Sequence, residues 1–509
     1  MMKLYLGVLS LFIFSFISCF NESKSGLSVI DHIQLDKTTL KVEVLSSDMD
    51  VPWNMLFGSD GFLWVTEQGG TIKKIDPNTG SVQLLLRLPD VYRYRTLGLL
   101  SMVLHPDMEK NPYAYIHYTR RDSGALESIL VRYQVREDTL IKPKILLKIP
   151  ANTGHNGSRL AISHDQKLLW ATGDAHHGEW AQDSTRYNGK ILRLNLDGSI
   201  PYDNPYKGSY VWAYGFRNIQ GMTLSDKGLV YTSEHGDAIE DEINLVMKGE
   251  NYGWPIIEGF HDTDTERMQA SNKKMIEPLR SWTPVIAPAA LAFFGDNQIP
   301  EWKNSLLLAT LKGQSLRIMK LSDDGKHIID EQVLFENRYG RLRSIAVSPQ
   351  GDLFIATSNR DWNPSKGFPK ERDDRILKIS PSNSKQAEVL HPIHLKQKDV
   401  HGQIQEGAQL YTLYCASCHK EDGSGVSGTF PPLIGAEQVV GDKSNLLDIL
   451  LNGLSGEIIV NGQKYDQQMP AFSFLRDEEI QRIANYIRSG FGNNAVPVSL
   501  SEVKAKRNK

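Results

Sequence analysis

Between Asp50 and about Ser380 one pattern returns six times, and it constrains the fold more than any other feature of the 509-residue chain. Each unit is a short apolar strand, a polar turn usually carrying Asp or Gly, and a second strand of alternating apolar residues. Pro52-Trp53 leads through Asp60-Gly61 to Leu63-Trp64-Val65, and Leu160-Ala161-Ile162 through Asp165 to Leu169-Trp170-Ala171. The pattern recurs at Met222 to Tyr231, Leu291 to Leu308 and Ile345 to Ile355, and a variant runs from Leu99 through His105-Pro106-Asp107 to Ile116. A single small sheet cannot cover its own two faces, whereas six packed radially can. The spacing therefore predicts an all-β six-bladed β-propeller over residues 46–381. A β-sandwich would need fewer strands than this stretch supplies.

Residues 382–403 turn polar and aperiodic and read as a linker. After Gly407 the period changes to that of a helix. Leu410, Tyr411 and Tyr414 share one face, and Ile480, Ile483, Ala484 and Ile487 share another. Asp477-Glu478-Glu479 puts negative charge in the first turn of that last helix, where the dipole favours it. A small all-α domain is expected over 404–493, and 494–509 reads as a solvated, frayed tail.

Within this domain Cys415-Ala416-Ser417-Cys418-His419 has the spacing of a haem c attachment site. Two thiols reach two vinyl groups, and the next imidazole turns up beneath the iron. A zinc knuckle would need two further ligands, and beyond His419 there is neither His nor Cys. The one Met there, Met469, is the expected sixth ligand. His/Met ligation raises the reduction potential and suits electron transfer. The segment from Gly407 to Phe491 resembles small class I cytochromes c, including Gly407, Tyr411 and Tyr486.

Lys3 precedes an apolar run from Leu4 to Ile17, the length of a secretory signal core. It ends at Ser18-Cys19, which resembles a bacterial lipoprotein cleavage site, so residues 1–19 read as a lipoprotein signal, Cys19 as the lipidated residue and 20–45 as a linker. A lipid anchor in a bacterial cell envelope, facing the periplasm or exterior, follows. Of three cysteines, none is left for a structural disulfide. The net charge of −3 gives no reason to expect nucleic acid as a partner.

The propeller region resembles the pyrroloquinoline-quinone-dependent glucose and aldose dehydrogenases. The resemblance lies in Gly98-Leu99-Leu100, His105-Pro106-Asp107, the stretch from Gly189 to Pro205, Arg217-Asn218-x-Gln220-Gly221, Asp241 to Leu245, and Asn251-Tyr252-Gly253-Trp254-Pro255. It implies His155 as general base, Asp174 orienting that imidazole, and Arg217 stabilising charge on the quinone oxygen. It further implies Asn218, Lys312, Arg341 and Arg343 as quinone-binding residues. A calcium would sit on the carbonyls of Gly236 and Asp237, and a second would use the Glu242 carboxylate and the Tyr252 carbonyl. Asp241 is open between site residue and loop-fixing carboxylate, and His176 and His177 between cleft and solvent. The chain departs from the family at Thr96, where Gln is usual and which follows Arg93-Tyr94-Arg95, at Phe216 for a usual His, and at Asp237 for a usual Pro.

The implied function is oxidation of an aldose or related alcohol, with electrons passed to the chain's own haem and on to a cytochrome, oxidase or copper protein. The alternative is a non-catalytic propeller that carries an electron-transfer cytochrome to a binding surface.

Overall fold

A computed structural model describes residues 27–261, 264–383, 389–395 and 407–507. The predicted signal segment and Cys19 lie outside them, as do residues 384–388 and 396–403 of the predicted linker and the first residues, 404–406, of the predicted C-terminal domain. Among the described residues no helix is long and apolar enough to cross a membrane.

Six antiparallel sheets stand around one axis. Their innermost strands are Pro52–Phe57, Leu99–Leu104, Arg159–Ile162, Ile219–Leu224, Pro288–Phe294 and Leu342–Val347. Each inner strand touches the next, and the sixth returns to the first. The six sequence units are the inner two strands of the six blades. Blades are held by apolar layers between them: Tyr115 and Leu130 of blade 2 pack on Leu168, Trp170 and Leu192 of blade 3. Leu63 and Val65 of blade 1 pack on Phe354 and Ile376 of blade 6. Every sheet thus buries both faces against neighbours.

The predicted linker 20–45 needs correction. Thr39–Ser46 is a strand that pairs with Ile376–Pro381 and closes blade 6, and Ser28–Gln34 pairs outside it. Leu40 and Val42 are fully buried. Their alternation with Lys41 and Glu43 is a period-two signal, and its partner strand lies more than 300 residues away in sequence. The described part of the linker 382–403 is also pinned: Ile393–His394 adds to the outer edge of blade 5, and Leu390 exchanges backbone hydrogen bonds with His32 and Gln34.

The C-terminal domain packs the helix Gly407–Tyr414 across Asp477–Ser489. A Cβ at Gly407 would stand 2.6 Å from the Arg482 carbonyl oxygen, so glycine permits this crossing. The tail also needs correction: Leu500–Arg507 is a helix whose Val503 is fully buried. It is anchored by Lys443–Glu502 (2.7 Å) and Arg507–Asp477 (2.6 Å). Val503→Ala is expected to destabilise this domain by about 2 kcal/mol through the cavity it leaves, measured as a shift in its denaturant midpoint.

The two domains meet at the mouth of the propeller cleft. Arg95 Nη2 donates to the Gly428 carbonyl (2.6 Å), Lys312 Nζ to the Leu413 carbonyl (2.7 Å) and Asn363 Nδ2 to the Ser417 carbonyl (2.8 Å). Lys420 bonds Asn363, Lys366 pairs with Glu421 (2.6 Å), and Trp362 meets Phe430 with ring centroids 5.6 Å apart. Ala238, from a propeller loop, is buried in the core of the C-terminal domain.

Candidate active site and haem site

The cleft is built on the loops that precede the inner strands and on those that follow the second strands. His155 (φ +52°) precedes the blade 3 inner strand, and Asp174 follows that blade's second strand. They meet with His155 Nδ1 and Asp174 Oδ1 2.9 Å apart. The other Asp174 oxygen accepts Trp254 Nε1–H (2.8 Å), and Oδ1 also accepts the His176 backbone N–H (2.9 Å). Burial pushes the Asp174 pKa up, while Arg217 and these donors pull it back. With Nδ1–H donated to the carboxylate, Nε2 is left to accept a proton, the arrangement a general base needs.

Burial holds the His155 pKa well below its ordinary 6.5, helped by the charges of Arg217 and His235. A base would act as the neutral imidazole, and a depressed pKa keeps His155 neutral into acid. With His155 as the base, the acidic limb of kcat/KM is therefore expected below pH 6.5, which a pH–rate profile of turnover reads directly. An acidic limb above 6.5 would contradict this assignment.

Arg217 pairs with the Asp237 carboxylate (2.6 Å) and lies over the Trp254 ring. Its Nε is buried with no hydrogen-bond partner among the described residues. Asn218 Oδ1 accepts the Gly157 backbone N–H (3.2 Å), fixing the loop that carries His155. Across the cleft, Arg341 and Arg343 share one oxygen of buried Asp361, at 2.9 and 3.1 Å. Two guanidiniums on one carboxylate leave net positive charge for a further anion. Arg343 also stacks on Trp53 at 3.8 Å. Lys312, expected to face the cofactor, donates a hydrogen bond to the Leu413 carbonyl of the other domain.

Asp241 is resolved as a loop-fixing carboxylate. It accepts backbone N–H groups from Gly236 (3.0 Å), Ile286 and Ala287 (2.7 Å). His176 belongs to the cleft, its ring 3.9 Å from that of His155, whereas His177 stacks on Trp180 nearer solvent. Phe216 is fully buried and stacks on Tyr252 at 4.6 Å, so its departure from the family pattern falls in the core. Sequence reasoning gave no role to Trp254, His235 or Asp361. Trp254 lies in a stretch already singled out, but nothing in spacing ties it to Asp174, 80 residues away.

In the C-terminal domain, Cys415, His419, Pro431, Leu450 and Met469 line one apolar cavity. His419 Nδ1 donates to the Pro431 carbonyl (2.8 Å), which leaves Nε2 for a metal. Met469 is held by a pair of backbone hydrogen bonds with Leu454, at 2.8 and 2.9 Å.

The family model described as glucose/sorbosone dehydrogenase matches residues 49–363. The chain belongs to that family. A cytochrome c model matches residues 404–491 of the same dehydrogenase. Quinoprotein glucose dehydrogenase B of Acinetobacter calcoaceticus is 29% identical, covering 64% of this chain and 86% of that protein. The PQQ-bound aldose sugar dehydrogenase of Streptomyces coelicolor is 31% identical, with a TM-score of 0.59 over 67% of this chain and 98% of that structure. Cytochrome c-552 of Thermus thermophilus is 40% identical over 113 residues, 20% of this chain and 86% of that protein.

The residues of this dehydrogenase fit both redox groups. The cations around the cleft and the partnerless Arg217 Nε suit a planar, polycarboxylate quinone. The apolar cavity lined by Cys415, with Cys418 three residues further on and a pre-oriented imidazole, suits haem c. For calcium, Glu242 lies beside Glu234, the two bridged by Asn244 Nδ2 at 2.9 and 3.0 Å, with Asn244 Oδ1 buried and partnerless. Burial raises both pKa values, that of Glu242 to about 7; the charge of Glu242 adds to the effect on Glu234, and that of Asp241 to the effect on Glu242. A hard cation would relieve that repulsion.

Proposed function

We propose that this glucose/sorbosone dehydrogenase oxidises an aldose or related alcohol with pyrroloquinoline quinone and transfers the electrons to its own haem c. The observation that carries the proposal is the docking of the haem-attachment segment over the cleft, through Lys312–Leu413 and Asn363–Ser417, beside the His155–Asp174–Arg217 group. Bound quinone would supply a two-electron acceptor carbonyl, and bound haem a one-electron store. His155 Nε2 takes the proton of the substrate hydroxyl. Asp174 holds the tautomer and stabilises the imidazolium that forms. Arg217 offers its free Nε–H to negative charge developing above it. Asn218 fixes the loop of the base, and Arg341, Arg343 and Lys312 supply charge for carboxylates. His419 and Met469 would hold the haem iron, and Cys415 and Cys418 would bind the haem covalently. Calcium would rest on the Gly236 and Asp237 carbonyls, and a second on Glu242 and the Tyr252 carbonyl.

The apolar run before Cys19 supports secretion and lipid anchoring at that residue, in a bacterial envelope. Electrons would leave to a soluble or membrane carrier in the same compartment. The test is anaerobic reduction of the chain's own haem by a panel of aldoses, after loading with calcium and the quinone. Bleaching of the oxidised haem bands by at least one aldose is expected. No reduction by any would favour the binding-module alternative.

A further inference from the structure

Arg95 sits in the cleft and no role has yet been assigned to it. Its loop is fixed by Gln68, whose Nε2 donates to the carbonyls of Arg95 (2.6 Å) and Leu97 (3.0 Å). The side chain is 5% exposed and lies over the Tyr94 ring at 5.0 Å. Nη2 is spent on the Gly428 carbonyl of the cytochrome domain, 2.6 Å away. Its sole ion pair among the described residues is a long one, 3.8 Å to the exposed Asp466. Nε and Nη1 are buried without a hydrogen-bond partner among the described residues. The neighbouring Thr96 Oγ1 and His176 Nε2 are in the same condition.

A guanidinium stays charged, and a buried charge with two idle donors is costly unless an anion meets it. The planar fork matches a carboxylate better than a lone hydroxyl. Three sources of carboxylate are available in principle, the quinone, the haem propionates and a substrate, and Arg95 meets the cytochrome domain at Gly428, outside the lining of the haem cavity. The residues assigned to the quinone carboxylates, Arg341, Arg343 and Lys312, belong to blades 5 and 6. Arg95 follows blade 1 and its charge acts on His176, whose ring lies 3.9 Å from that of His155. Arg95 is therefore on the side of the base, where a substrate must lie.

We propose that Arg95 is a specificity-determining residue that receives the carboxylate of an acidic sugar, a uronate, in a pocket walled on one side by the cytochrome domain at Gly428. This rests on the sugar-oxidising reading above and names its substrate class. Thr96 and His176 add two further polar atoms for the sugar hydroxyls.

The test compares haem reduction in the full-length holoenzyme by D-glucuronate against D-glucose, and by D-galacturonate against D-galactose. The wild type should favour each uronate in kcat/KM by about tenfold or more, the scale of one charge-assisted contact. Methyl glucuronate ester, which removes the charge and leaves the protein untouched, should lose that preference. Arg95→Gln should lower uronate turnover by about 10- to 100-fold and change the neutral sugars by less than about threefold. Arg93→Gln, at an exposed pair with Asp50, should match the wild type. A preference for neutral sugars, equal loss of both classes in Arg95→Gln, or a weakened quinone half-saturation with the uronate preference intact would each overturn the proposal. Turnover of neutral sugars alone defeats this inference and leaves the proposed function standing. Failure of every sugar defeats both.

Discussion

His155→Gln is expected to lower sugar-driven haem reduction by about 10²- to 10⁴-fold, the range of general-base catalysis, with the haem spectrum unchanged. The imidazole has one nitrogen committed to Asp174 and one left for a proton. Glutamine keeps polarity and approximate length but offers no base. The change lies in a blade 3 loop and touches none of the residues that line the haem cavity, so the expected haem ligands His419 and Met469 stay as they are. Stopped-flow absorbance under anaerobic conditions, with saturating sugar, gives the rate directly. Retention of more than a tenth of the wild-type rate would remove His155 from the chemistry. Asp174→Asn should fall in the same direction because it favours the wrong tautomer, and the pair should be far from additive.

Replacing both thiols, Cys415→Ala with Cys418→Ala, should abolish covalent haem and with it all internal haem reduction. Sugar-dependent reduction of an added dye that re-oxidises quinone should persist. The two half-reactions then separate, since the cleft groups lie on propeller loops and the thiols on the other domain. Haem-stained denaturing gels report the first effect and dye assays the second. Loss of dye reduction as well would show that the docked domain is required to form the cleft, through Arg95–Gly428 and Lys312–Leu413. Either result is decisive about how the domains depend on each other.

Much of the architecture was legible before any coordinates. Period-two strands with Asp or Gly turns repeat locally, and each repeat needs only its neighbours to bury its faces. The haem site was legible for a related reason, because its two thiols and imidazole are carried within five consecutive residues. The expected sixth ligand, Met469, needed a census, and pairing with Leu454 brings it to the cavity that His419 also lines. The errors have one cause. Thr39–Ser46 and Leu500–Arg507 looked like linker and tail because the surfaces they cover are distant in sequence or belong to other elements.

The cleft divides in the same way. Resemblance supplied His155, Asp174 and Arg217, and the fold brought the first two to 2.9 Å. It also decided what no motif carried: Asp241 holds a loop, Phe216 fills the core, and Lys312 reaches the cytochrome domain. By itself the sequence determined the blades, the haem attachment and the residue types available for catalysis, because these depend on local spacing and side-chain chemistry. Tertiary structure alone decided which strand closes the ring, which charges are left unpaired, and that the haem-bearing segment lies over the cleft. Those depend on contacts between residues tens to hundreds of positions apart, where burial and electrostatics set the outcome and spacing along the chain carries no record of it.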